Sequence, residues 1–184
     1  IAPSKLATTA CFSLSPLHFL SRRLGFGEEG LLRAAVRIGP SKHLDLVGLN
    51  GYVGTNRPRA AHFAPMLRKM ARLAARIRSA TGIAVREINI GGGIPALATA
   101  DSAAGDAPKP ADGVPGGAKS GAATLESFAR EVAARFHTEV SHAGLDPFPV
   151  LAAEPGRAVV GSAVLLVTTV RAVHGDWAFL DGSR

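Results

Sequence analysis

Two short runs carry the residue types from which a site for a small charged molecule can be built. In the first, Glu87, Ile88, Asn89 and Ile90 lead into Gly91, Gly92 and Gly93, so three glycines stand where an apolar segment ends. Without Cβ atoms, their backbone N–H groups can approach a phosphate closely. In the second, Phe148 to Ala153 runs into Glu154, Pro155, Gly156 and Arg157. A carboxylate and a guanidinium at that separation can grip opposite ends of one charged cofactor. Taken alone, a triglycine is more often a tight turn than an anion site; its pairing with Glu154 and Arg157 moves the reading toward binding.

These runs need strands to position them, and the hydrophobic pattern supplies candidates. Glu28 to Ile38 reads as a helix, with acids in its first turn and arginines later, in accord with the helix dipole. Gly39 and Pro40 end it, and Leu44 to Leu49 is a short apolar segment suited to a buried parallel strand. Asn50 to Pro58 then reads as a loop. From Arg59 to about Ala80, Phe63, Met66, Leu67, Met70, Leu73, Ala74 and Ile77 recur at helical spacing, and Arg68, Arg72 and Arg76 line another face. Val85 to Ile90 is the next strand. Helix resumes at Thr124, a candidate N-cap with Ser127 at the third position, and runs through Phe128, Val132, Phe136 and Val140. Phe148 to Ala153 forms a further strand. Each unit places its polar or glycine-rich residues after a strand, the edge where a (β/α) barrel carries its active site. A doubly wound open sheet shares that alternation, so periodicity alone leaves the two architectures level.

At 184 residues the chain suits one domain with a proper core. Hydrophobic content of 47% with 5% aromatics indicates aliphatic packing. A net charge of +7 attracts phosphate without regard to sequence. The arginines, however, are spread over alanine-rich helices with no aromatic interleaving and no reading motif, so a solvated basic face is expected and no nucleic-acid partner. The single cysteine, Cys11, excludes an internal disulfide and a cysteine-rich metal site, and favours a reducing, cytoplasmic setting. His18, His43, His62, His137, His142 and His174 show no metal-ligand spacing, and no metal site is expected. No run approaches a membrane span, and Leu6 to Leu20 is interrupted by Thr, Ser, Pro and His, unlike the apolar core of a signal peptide. The absence of an initiator Met suggests a piece of a longer protein. Asp181 reads as part of a turn rather than a site.

Three strand ends thus come in order: Asn50 to Asn56 with Tyr52, Val53, Gly54 and Thr55; then Gly91, Gly92 and Gly93; then Glu154, Pro155, Gly156 and Arg157. In this order they resemble the barrel domain of the fold-type III pyridoxal-phosphate enzymes, the ornithine/diaminopimelate/arginine decarboxylase family. In that family a strand ending in His-Val-Gly-Ser or His-Ile-Gly-Ser precedes one ending in Gly-Gly-Gly, and Glu-Pro-Gly-Arg follows. Ser21 to Gly27 resembles the family's Lys-Phe-Gly segment. The resemblance runs from about Ser21 to Gly182. It implies a partial (β/α)8 TIM-type barrel of the alanine racemase-like kind, its C-terminal half, within an α/β chain. The implied cofactor is pyridoxal 5'-phosphate (PLP), the implied substrate an amino acid bound as a Schiff base and losing its carboxylate, and the implied assembly a homodimer. Glu154 would pair with the pyridine nitrogen and keep it protonated. Arg157, Gly156, Gly93 and Thr55, with Gly91 and Gly92 in the same run, would hold the phosphate. Tyr52 stands where the family carries a histidine stacked on the ring, and tyrosine can still stack.

The departures bear on activity. The family anchors PLP on a lysine in an early strand, in a pattern like Tyr-Ala-Val-Lys-Ala-Asn, and none of Lys5, Lys42, Lys69, Lys109 and Lys119 sits in such a context. The Cys-Asp and Tyr elements of the family's C-terminal domain do not appear either. The expected organisation is an irregular segment over 1–20, a partial PLP-binding barrel over 21–162 with a mobile insertion at 96–123, and an extended hairpin over 163–184 leading toward a β-domain. The chain alone is expected to be inactive or nearly so, and a non-catalytic barrel module holding PLP or another phosphate compound is the alternative. Asn56, where the diaminopimelate branch carries Gln, and Tyr52 argue against a standard diaminopimelate enzyme. The amino acid itself is not encoded in these residues.

Overall fold

The computed structural model describes residues 5–13, 25–96, 124–161 and 167–182. The expected insertion, beyond its first residue, lies outside these, as do residues 21–24 of the Lys-Phe-Gly-like segment and residues 162–166. Four parallel strands form one sheet in the order β1-β2-β3-β4, namely Leu6–Ser13, Leu44–Tyr52, Glu87–Asn89 and Val150–Ala152. Between them run α1 (Glu28–Ile38), α2 (Ala64–Thr81) and α3 (Leu125–His142), with a 3-10 turn at Ala60–His62. Strand order following chain order is what a barrel requires, whereas a doubly wound sheet reverses order at a switch point. The order of the four strands among the described residues is that of an arc of a barrel, with no reversal within it.

The helices form where the pattern places them, for identifiable reasons. Thr124 caps α3: its Oγ1 accepts from the Ser127 N–H at 3.1 Å, and the Ser127 hydroxyl returns a bond to the Thr124 carbonyl at 2.9 Å. Gly82 ends α2 in the left-handed conformation at φ +76°, with its N–H on the Arg78 carbonyl. Met66, Leu67, Met70, Leu73, Ala74 and Ile77 of α2 are buried against Leu46 and Leu49 of β2 and Ile88 of β3. Each large side chain among them contributes roughly 1.5–3 kcal/mol by leaving water. Phe63, fully buried, meets Phe128 of α3 edge-to-face at 5.5 Å. Arg76 of α2 ties down the first turn of α1 through both Glu28 and Glu29, and the bond to Glu29 is the main cause of its raised pKa.

The structure corrects the sequence reading in several places, and β3 and β4 are shorter than the strands expected over Val85 to Ile90 and Phe148 to Ala153. Residues expected to be irregular include strand β1, which pairs in parallel with β2 from Leu6 opposite Leu44 to Ser13 opposite Tyr52, with a shift between Thr8 and Thr9. No strong alternation marks Leu6 to Ser13; what makes it a strand is a distant partner that satisfies its backbone groups. Likewise β2 continues through Asn50, Gly51 and Tyr52, which read as loop. A further short helix, α4 (Gly156–Val160), follows Glu154 at once. Finally, β5 (Val170–His174) and β6 (Trp177–Leu180) pair antiparallel around Gly175 as the expected hairpin.

Candidate functional site

Because the four strands are parallel, their C-terminal ends share one edge, and the predicted residues of all three runs stand there. The register explains how. Leu49 of β2 lies beside Ile88 of β3, and both are fully buried against the helices. Strand side chains alternate between faces, so the next residues, Asn50 and Asn89, neighbours in register, point to the other face. Ala152 of β4 continues that row, two residues before Glu154.

Glu154 is held by this row. Its Oε1 accepts from the Asn50 Nδ2 at 3.0 Å and from the Asn89 Nδ2 at 3.1 Å. Both amides use the same oxygen, so among the described residues Oε2 keeps its lone pairs for another donor. The Asn89 side chain also accepts the Gly91 N–H at 2.8 Å through Oδ1, which joins the carboxylate to the glycine run.

The glycines have a packing reason of their own. Gly91 and Gly93 have φ of +67° and +87°. A Cβ on Gly91 would overlap the Gly51 carbonyl oxygen, and one on Gly93 the Gly54 carbonyl oxygen. The run is thus both a tight turn and the place where the loops after β2, β3 and β4 close on one another. Arg57 donates its backbone N–H to the Gly93 carbonyl at 2.8 Å, and Glu154 donates its own to the Gly91 carbonyl at 2.9 Å. The N–H groups of Gly91 and Gly156 are taken within the loops, the latter by the Glu154 carbonyl at 2.9 Å. Of the predicted backbone donors, Gly92 and Gly93 are those left without a partner among the described residues.

The remaining predicted residues lie along the β2 loop. Tyr52, the last residue of β2, is 44% exposed, and its hydroxyl meets the Thr55 Oγ1 at 2.6 Å. Arg157, in the first turn of α4, donates to the Asn56 Oδ1 at 2.5 Å, with Asn56 at a left-handed φ of +55°. Asn50, Asn89 and Arg57 were not assigned roles from sequence. A polar residue closing each of two adjacent buried parallel strands was the available signal for the asparagines. The lysines are placed differently: Lys5 and Lys42 precede β1 and β2, at the opposite edge of the sheet, and Lys69 lies within α2. Lys109 and Lys119 fall outside the described residues. Among the described residues no group of three or more His, Cys, Asp or Glu side chains could share a metal ion, and no helix is long and apolar enough to cross a membrane.

The family model for the pyridoxal binding domain of pyridoxal-dependent decarboxylases matches residues 21–161. Solved structures of similar fold include a diaminopimelate decarboxylase from Helicobacter pylori complexed with L-lysine, 17% identical at a TM-score of 0.59 over 96% of this chain and 40% of its own. A lysine decarboxylase from Selenomonas ruminantium is 20% identical at 0.56, over 95% of this chain and 39% of its own. An arginine decarboxylase from Paramecium bursaria Chlorella virus is 13% identical at 0.53, over 84% and 34%. At such identities the likeness is one of fold, and the chain spans between a third and two-fifths of the length of these enzymes. No curated protein matches the chain. With the match extending over more than half of the chain and a parallel sheet in barrel order beneath it, this chain belongs to the pyridoxal-dependent decarboxylase family, within its pyridoxal-binding domain.

Proposed function

We propose that this chain supplies the cofactor-holding strand ends of a PLP-dependent amino-acid decarboxylase and corresponds to the C-terminal half of its barrel. The observation that carries the reading is the Glu154 carboxylate, fixed through one oxygen by Asn50 and Asn89 with the other oxygen left open. That arrangement suits a protonated pyridine nitrogen, a donor to which a carboxylate oxygen can hold a proton in place. PLP, when bound, would supply an electron sink for the electron pair left on the α-carbon as carbon dioxide departs. This chain's own residues bind and orient: Tyr52 offers a ring face, Thr55 a hydroxyl, Gly92 and Gly93 N–H groups that no described residue takes, and Arg157 a guanidinium for the phosphate. The substrate is an amino acid, as the L-lysine complex of the Helicobacter pylori relative suggests, and the whole protein works as a homodimer in the cytoplasm.

The lysine placement favours a second reading, in which this chain alone holds PLP or another phosphate compound without covalent attachment and without turnover. Absorbance titration with PLP, followed by borohydride reduction and peptide mapping, separates the two. Reversible binding that Glu154→Gln and Arg157→Ala weaken, with no stoichiometric adduct, is the expected result for this chain alone. An adduct on a single lysine together with amino-acid turnover would overturn that expectation. Binding indifferent to both substitutions would remove the site altogether.

A further inference from the structure

We propose that Arg57 is a second guanidinium of the phosphate site, acting with Arg157 on a phosphate monoester dianion; this rests on the cofactor reading above. Among the described residues the arginines in ion pairs are Arg68, Arg76, Arg86 and Arg171, each with an acidic partner. Arg57 and Arg157 have none, yet neither is loose. The Arg57 Nε donates to the Val53 carbonyl at 3.2 Å, and Arg157 to the Asn56 Oδ1 at 2.5 Å. Both anchors are neutral oxygens on the same loop after β2. A neutral anchor fixes the direction of a guanidinium while leaving its charge uncompensated, which suits an anion supplied from outside.

The place is as telling as the charge. The Arg57 main chain is bonded to the Gly93 carbonyl. Its side chain crosses Gly54, where a Cβ would come within 3.1 Å of its Nη2 and 3.2 Å of its Nε. Gly54 has a φ of +103°, and its carbonyl in turn lies over Gly93. Arg57 is thereby laid along the loop that closes on the glycine run, with both terminal nitrogens unpartnered among the described residues after Nε is spent on Val53. A phosphate monoester carries about −1.5 to −2 charges at neutral pH, a demand that one guanidinium leaves partly unmet. Two guanidiniums, the Thr55 hydroxyl and two glycine N–H groups match it.

The test compares PLP with pyridoxal, which lacks the phosphate, on the whole chain. Arg57→Ala should raise the Kd for PLP about tenfold and leave that for pyridoxal unchanged, the loss expected of one charge-assisted bond at an exposed site. Arg57→Lys should recover part of the affinity. Inorganic phosphate should compete with PLP on the parent chain and less well on Arg57→Ala. Equal losses for PLP and pyridoxal would make Arg57 a support of the loop and overturn the proposal, as would no loss at all. Should Arg57→Ala fail to fold, Arg57→Lys and Arg57→Gln carry the same comparison. A parent chain without affinity for PLP would sink the cofactor reading instead, and phosphorus NMR line broadening of inorganic phosphate alone would then still decide the role of Arg57.

Discussion

Gly93→Ala should cost far more stability than Gly82→Ala, and the difference measures how tightly the strand-end loops close. The two glycines have similar positive φ, at +87° and +76°. Placing an alanine in that left-handed region costs roughly 1–2 kcal/mol at either position. They differ in what surrounds the new methyl. At Gly82 no atom lies within 4 Å, so the conformational cost is the whole cost. At Gly93 the methyl overlaps the Gly54 carbonyl, with the Tyr52 ring at 3.5 Å behind it. The loop must move, at a cost of about 1–3 kcal/mol for an overpacked site. Moving it also breaks the bond from the Arg57 N–H to the Gly93 carbonyl, worth roughly 0.5–1.5 kcal/mol. Gly93→Ala should therefore exceed Gly82→Ala by about 1.5–4.5 kcal/mol. Urea unfolding followed by far-UV circular dichroism reads this as a lower midpoint at unchanged slope. In thermal melts a gap of about 3 kcal/mol corresponds to roughly 6–12 °C for a chain of this size. Equal losses for the two variants would refute the close approach of the β2 and β3 loops, and with it the geometry on which the site is built.

Other consequences follow from single contacts. Phe63→Ala should destabilise by about 3–5 kcal/mol, and a double-mutant cycle with Phe128→Ala should return a coupling of about 0.5–1.5 kcal/mol from the edge-to-face pair; additivity would exclude that contact. The Asp181 carboxyl is held below its ordinary range by the Thr169 backbone N–H first and the Thr168 hydroxyl second. Its contribution to the β5–β6 hairpin is thus present above an unfolded pKa of about 3.9 and is lost as pH falls through the lower folded value. The sole tryptophan, Trp177, sits in that hairpin, so its fluorescence should show a transition below about pH 4, and Asp181→Asn should abolish that acid transition.

The elements and the site differ in how much of each was legible beforehand. Helices α1, α2 and α3 are legible because their causes are local: acids before arginines in α1, apolar spacing over Phe63 to Ile77, and the Thr124 cap. Strand β1 is not, since Leu6 to Ser13 becomes a strand only through pairing with β2. The three runs are legible as residue types, but the roles of Asn50 and Asn89 are not, because their meeting on Glu154 depends on the register of β2, β3 and β4.

By itself the sequence determined the kind of chemistry: a carboxylate, a guanidinium, a hydroxyl and unobstructed backbone amides, each following an apolar segment, in an order that resembles the pyridoxal-dependent decarboxylases. It left barrel and open sheet level, since alternation of strand and helix is common to both. Only the tertiary structure decided between them, through strand order, and only it showed which oxygen of Glu154 is occupied, why Gly91 and Gly93 tolerate no side chain, and that Arg57 stands beside the glycines. Side-chain type is a local property that one dimension records. Which groups meet is set by register, loop closure and strand order, and those are relations between segments far apart in the chain.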